Sequence, residues 1–387
     1  MRRNHLASAA VLFVGGVLSS TSHADEPPPH STLTDRYRQA EVAVLAKRVA
    51  VREPTGPDDL GSTTYEIVQV PRGAGKSPAR GTRITISEKR AGDQDGVVLL
   101  LGQEAGPDKL NWTIPQQINS RRYNYLTRAP AAEAEETDQL AYYVSRLEDQ
   151  DPIVAEDAFT QVARAPRERL IELADTLPRE SLLDWLSDPE LPQNRLPLYA
   201  LMLGLGQHAD DGDLLLGMLL ARADDLQADR ESVLTGFLWA TGTDGLAEID
   251  ELLLKEKTTK PTLIQAALQS LAYLGEHGQQ RIPAERVRSS LHLLLDDPRV
   301  RGLVLAHLAR WKDWSVRDKV RKAYEEAAAD DKASKRGILH YLRACRADTE
   351  GQKPQEPPAH VRDAERYLKE IRQLDPDFVQ QELGSDR

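Results

Sequence analysis

Residues able to do chemistry are sparse in this chain and mostly stand apart from one another. The densest group is His208-Ala209-Asp210-Asp211-Gly212-Asp213, an imidazole and three carboxylates within six positions. Oxygen ligands at that density could hold a calcium ion, but the alternation and terminal glutamate of a calcium loop are missing. The group also precedes an amphipathic stretch, where carboxylates favour the positive end of a helix dipole, so capping is the expected role. His292, His307 and His340 fall on expected helices of neighbouring segments and could meet as imidazole ligands, yet no HExxH-type pair supports them. Packed or solvated side chains are expected instead. Cys345 is the only cysteine, and a buried apolar thiol is a better expectation for it than a nucleophile. Gly73-Ala74-Gly75-Lys76-Ser77 ends like a phosphate-binding loop, but Val70 holds the place of the first glycine and Pro78 stands where the helix should begin. A hairpin loop fits better. Neither a G-x-S-x-G elbow nor a glycine-rich dinucleotide fingerprint is present. No catalytic residue, cofactor or metal site is therefore predicted.

Recognition chemistry is better represented. Arg317, Lys319, Arg321 and Lys322 form the strongest basic run, and Trp314 lies just before it. An exposed tryptophan beside cations would anchor a protein partner, so these five residues are the candidate binding set. Packing for Trp314 and a solvated helix face for the cations are the competing expectations. The run belongs to a wider asymmetry. Residues 206–257 hold twelve acidic and four basic residues, whereas residues 299–346 hold thirteen basic and six acidic. An acidic middle and a basic end present two different faces to partners.

The chain begins with Arg2 and Arg3, an apolar run from Leu6 to Leu18, and a small-residue exit through Ala24. That is the layout of a secretory signal peptide, with cleavage expected after Ala24. The apolar run is too short for a stable membrane anchor. A lone cysteine also rules out an internal disulfide, leaving packing to hold the exported chain together. Losing the two arginines moves the formal charge from −11 to −13. That balance argues against nucleic-acid binding.

Strands come first. Val42 and Val44 alternate with polar or small neighbours, then the apolar phase slips so that Val49 and Val51 fall on odd numbers, as a β-bulge would cause. Residues 63–70, Ile84 with Ile86, and the continuous apolar run 97–101 mark further strands. Five or so short strands in about ninety residues suit a small barrel. The segments Ala40-Glu41-Val42-Ala43-Val44, Thr64-Tyr65-Glu66-Ile67-Val68-Gln69-Val70, Gly81-Thr82-Arg83-Ile84-Thr85-Ile86 and Val98-Leu99-Leu100-Leu101-Gly102 resemble the OB-type barrel of netrin-like, tissue-inhibitor-of-metalloproteinase-like domains of secreted bacterial proteins. Animal members of that family begin with cysteines central to protease inhibition, and this chain has none there, so the resemblance implies the fold alone.

Beyond Pro130 the period becomes helical. Asp151-Pro152 and Asp297-Pro298 each place an Asp cap before a proline at a helix start. Gly206, Gly242 and Gly275 are expected to end successive helices, 36 and 33 residues apart, with Asp313 ending the next, 38 residues on. Four and eight residues before these terminators stand Met202, Leu238, Leu271, Ala309, and Leu198, Leu234, Ala267, Leu305, all apolar and one turn apart. Second helices are expected over 213–221, 245–254, 283–295 and 315–329. Such short helices must stack to bury their faces. The helix starts and the spacing resemble HEAT-like repeats over residues 140–346, which implies interaction surfaces rather than a reaction.

The expected architecture is two-domain, a small all-β OB-like barrel followed by an all-α HEAT-like solenoid of five or six repeats. Its parts are a signal peptide (1–24), a linker (25–35), the β domain (36–129), the repeats (133–346), a linker (347–357) and a capping helix (358–375). The expected role is an exported, non-enzymatic adaptor, periplasmic or secreted, for an envelope or extracellular protein. Two alternatives stay open: an enzyme with a site where barrel and array join, and an inhibitor or glycan-binding module using loops 71–80 and 88–95.

Overall fold

The computed structural model describes residues 31–90, 96–106, 109–221, 230–278, 280–349 and 357–384. The expected signal peptide, its cleavage site, most of the second linker and part of loop 88–95 lie outside the described residues. The chain divides into two units, one ending at Val162 and one starting at Ala163.

In the first unit, β-branched runs between glycine and proline clusters form β1 (Val42–Arg52), β2 (Ser62–Arg72), β3 (Arg83–Ile86), β4 (Val97–Glu104), β5 (Leu110–Trp112) and β6 (Gln116–Gln117). All pairings are antiparallel in the order β3-β2-β1-β4-β5, with β6 also on β4. The expected barrel is not closed. Closure requires the two outer strands to pair along their length, and here the sheet ends on β3 and β5, four and three residues long. The expected bulge is present, since the β1–β2 register shifts between Ala43 and Ala46 and again between Arg48 and Ala50. Val49 and Val51, beyond it, are exposed. Val42, Val44 and Ala46 of β1 pack with Tyr65, Ile67, Ile84 and Leu100 on one face. Ala43, Leu45, Leu99 and Leu101 are buried on the other.

Helices complete this unit: α1 (Leu33–Gln39), α2 (Ser120–Arg128), α3 (Glu136–Val144) and α4 (Pro152–Arg164). Helix α1 occupies sequence assigned in part to a linker. Its start is a reciprocal cap, with Thr32 Oγ1 accepting from Asp35 N–H and Asp35 accepting from Thr32 N–H. It is tied to α4 through Asp157, which is buried and accepts from Thr34 N (2.9 Å), Thr34 Oγ1 (2.6 Å) and Tyr125 Oη (2.6 Å). Three donors on one carboxylate satisfy a charge that burial would otherwise penalise. Asp151 caps α4 as expected, accepting from Ile153 N–H at 3.0 Å.

The second unit is helical among its described residues: α5 (Arg167–Glu172), α6 (Arg179–Ser187), α7 (Leu196–Leu205), α8 (Gly212–Ala221), α9 (Arg230–Ile249), α10 (Pro261–His277), α11 (Ala284–Leu294), α12 (Arg301–Arg310), α13 (Arg317–Glu326), α14 (Lys332–Ala347), α15 (Ala359–Leu374) and α16 (Pro376–Leu383). Of the eight predicted stripe residues, Leu198 and Ala309 are half-buried and the other six are buried. Equivalent contacts recur along the stack. Arg230 at the start of α9 donates to Thr262 Oγ1, 32 residues on, and Arg301 at the start of α12 donates to Ser334 Oγ, 33 residues on.

The terminators differ from expectation in an instructive way. Gly242 does break α9, at φ 67° and ψ −140°, a conformation that favours glycine. The carbonyls that this break orphans at Trp239 and Ala240 accept from Arg281. Gly206 also ends its helix, capping α7 after Leu205, but with ordinary helical angles, and Gln207 takes the left-handed position. Lys312 does the same before Asp313. Gly275 ends nothing: it lies inside α10, where a Cβ would come within 2.3 Å of the Trp311 ring. Glycine is needed there for packing, not for a turn. The Asp297-Pro298 signal is also displaced, as α12 begins at Arg301 after a turn capped by Asp297 Oδ1 on Arg299 N–H.

Candidate functional site

The five predicted binding residues lie on or beside α13, and most of their chemistry is turned inward. Arg317 Nε pairs with Asp363 Oδ2 at 3.0 Å, and Arg321 Nε with Glu370 Oε2 at 2.7 Å, both carboxylates on α15. Arg321 also lies over the Tyr367 ring at 5.7 Å. Lys319 reaches Asp296 (3.0 Å) and the His292 carbonyl (3.2 Å). Lys322 is exposed beside Glu326 one turn away, and Lys319 is exposed as well. Trp314 is buried at 9% exposure. Its Nε1 donates to Asp348 Oδ2 at 2.6 Å, and its ring stacks on His360 and meets Tyr341 edge-on. Arg317 and Arg321 therefore bridge α13 to α15, whereas Lys319 and Lys322 do not. Both arginines gain a raised pKa, first from the carboxylate hydrogen bond, and Asp363 is correspondingly lowered by Arg317. The carboxylates stand 46 and 49 residues away, too far along the chain for any local pattern to announce them.

A different surface of the same unit is open. Between α12 and α14 lies a groove of about 420 Å³ floored by small residues, including Gly302, Ala306, Ala309 and Gly337. The helices cross closely because Gly302 faces Gly337: a Cβ on Gly337 would lie 2.5 Å from Gly302 Cα. Leu303 stands on the wall at 54% exposure. Neither α12 nor α14 contains an Asp or Glu. Arg336 on the rim is held by Glu382, whereas His340 is exposed. Arg343, one turn beyond His340, is exposed and has no ion-pair partner among the described residues. The lining cations Arg299 and Arg336 are held by Asp297 and Glu382, so the apolar floor can take a short apolar side chain and Arg343, outside the lining, can meet a carboxylate beside it. Local sequence hid this surface because its two walls come from separate repeats.

The remaining candidates disperse. Asp211 is buried and clamps Arg179 through two bonds (2.5 and 3.0 Å), joining α6 to the start of α8, while Asp213 lies in the first turn of α8. His292 Nε2 sits 2.8 Å from Asp313 Oδ2, His307 lies by Trp311, and His340 lines the groove, and the three histidines do not group to hold a metal. Burial lowers the pKa of His307, aided by Arg310. Cys345 is buried, donates to the His360 carbonyl at 3.4 Å, and has its thiol pushed up to about 12 by burial. Residues 73–77 form a loop after β2: Lys76 N and Ser77 N donate to Gly73 O, and Lys76 Nζ pairs with Glu41. Gly73 holds φ 72°, where a Cβ would strike the Glu41 carbonyl at 2.2 Å. Among the described residues, no three His, Cys, Asp or Glu side chains are grouped to hold a metal, and no helix is long and apolar enough to cross a membrane. The chain matches no protein-family model, no curated protein and no solved structure.

Proposed function

We propose that this protein is an exported adaptor, in which a HEAT-like array binds an envelope or extracellular protein through the groove between α12 and α14. The carrying observation is that groove: an apolar floor and an exposed Leu303 on its wall, with the exposed Arg343 further along α14. The recurrent contacts at 32 and 33 residues support the HEAT-like reading of the stack. The strand order and the bulge in β1 support a netrin-like ancestry for the sheet, in an opened form. Export rests on the arginines, apolar run and small-residue exit of the first 24 residues. The preferred partner presents an acidic segment with a short apolar side chain, and its binding weakens with salt.

The test compares the chain beginning at Asp25 with Leu303→Glu and Arg343→Glu variants as baits in host envelope extract, at low and high salt. Both positions are exposed, so neither change should unfold the stack. A partner that is held by the parent chain, released by salt and lost with both variants supports the proposal. Equal capture by parent and variants overturns the groove as the binding surface.

A further inference from the structure

In the first unit, a cleft of about 390 Å³ opens between α1, β4, β6 and the start of α4. Leu33, Leu99, Ile118 and Ile153 give it apolar walls, and Arg36 lines it. Arg36 differs from the other cation of the cleft. Arg122 is paired with Asp151 at 2.8 Å, whereas Arg36 has no carboxylate within ion-pair distance among the described residues. Its Nε donates to the Thr32 carbonyl at 3.3 Å. Gln116, its amide oxygen turned to the guanidinium, accepts from Nη1 (2.5 Å) and Nη2 (3.2 Å). Neutral oxygens thus take three of the five N–H groups and leave two on the Nη atoms. The buried Asp157, which acts on Arg36 at longer range, has its oxygens engaged by Thr34 and Tyr125. Burial drives the Arg36 guanidinium below its ordinary pKa, opposed at longer range by Asp157. A half-buried cation without a contacting anion is costly to keep.

We propose that this cleft binds a small carboxylic acid with an apolar body, its carboxylate accepting from a free Nη N–H of Arg36 and its body against Leu99, Ile118 and Ile153. A guanidinium N–H donating to a carboxylate makes a charge-assisted hydrogen bond, roughly twice as strong as a neutral one. Apolar walls select a hydrocarbon or aromatic body over a bare inorganic anion. The cleft volume falls within the range of small-molecule sites, roughly 300–1,000 Å³.

The probe is octanoate, titrated calorimetrically into the chain beginning at Asp25, with 1-octanol and inorganic phosphate as the two halves of the chemistry. Octanoate should saturate one site, 1-octanol should bind at least about tenfold more weakly, and phosphate at matched ionic strength should not compete. Arg36→Met keeps the apolar stem and should weaken octanoate at least about tenfold. Ile153→Asp changes an exposed wall residue in the first turn of α4, where an acid suits the helix dipole. It should fold normally and repel octanoate, so it decides the matter if Arg36→Met is unstable. No saturable binding by the parent chain up to about 5 mM, or equal binding by the parent and Ile153→Asp, would overturn the proposal.

Discussion

Replacing Gly204 by alanine should destabilise the helical unit, although alanine is the better helix former. Gly204 sits in α7 against Gly236 of α9. A Cβ there would lie 2.0 Å from the Gly236 carbonyl oxygen and 2.4 Å from its Cα, where ordinary contact begins at 3.4 Å. Both obstructing groups are backbone, so no rotamer change relieves the clash and the helices must separate. Tyr199, Ala200, Met202, Leu203 and Leu205 of α7 are all buried, and a gap of about 0.5–1 Å forfeits a quarter to a half of each dispersion contact across it. Overpacking of this kind costs roughly 1–3 kcal/mol, against about 1 kcal/mol gained in helix propensity. The net expectation is a loss of up to roughly 2 kcal/mol. Gly217 supplies the control. It is exposed in the middle of α8, and a Cβ added there would meet nothing within 4 Å, so Gly217→Ala should gain about 0.5–1 kcal/mol. Urea unfolding followed by far-ultraviolet circular dichroism reads both, as opposite shifts of the midpoint. A midpoint that rises for Gly204→Ala as it does for Gly217→Ala would refute the close crossing of α7 and α9.

Other perturbations test other parts of the account. Asp157→Ala strands the Thr34 and Tyr125 donors in a buried setting and should cost the first unit about 3 kcal/mol by denaturant unfolding; a loss below about 0.5 kcal/mol would show that α1 is held by other contacts. Burial pushes the Asp313 carboxyl up, but hydrogen bonds from His292 and Ser315 outweigh it and bring the group down to about 2. Because the folded value lies below the unfolded one, its contribution is present above about pH 4 and lost as pH falls toward 2. Asp313→Asn should therefore cost roughly 1–2 kcal/mol at pH 7 and progressively less below pH 4, and a deficit independent of pH would contradict this assignment. The Cys345 thiol, buried and pushed up to about 12, should resist an aromatic disulfide reagent at pH 8 in the native protein and react fully in denaturant. Rapid native labelling would place the thiol at the surface.

Patterns that depend on neighbours along the chain were legible without coordinates. The alternation of Val42 and Val44 and the slip before Val49 announced β1 and its bulge, because side chains on a strand alternate faces and an inserted residue inverts the phase. The 3.6-residue stripe through Leu234, Leu238, Ala267 and Leu271 announced helices with a common buried face. The cap of α1 was equally local, in Thr32 and Asp35, and was hidden only by the assignment of part of that segment to a linker. Tertiary structure alone decided the rest. Gly275 looks like a helix end, but whether a glycine serves a turn or a close approach depends on what stands opposite it, and here that is Trp311. Whether strands close into a barrel depends on the lengths of its outer strands and on their meeting in space, and β3 and β5 do not pair. The basic run on α13 is a charge pattern in sequence, but α15 supplies the anions of Arg317 and Arg321 from 46 and 49 residues away. The groove between α12 and α14 and the cleft beside Arg36 are likewise assembled from separate segments, so composition and spacing along the chain carry no trace of them: an ion pair or a cavity is set by distance in space, which short-range sequence does not encode.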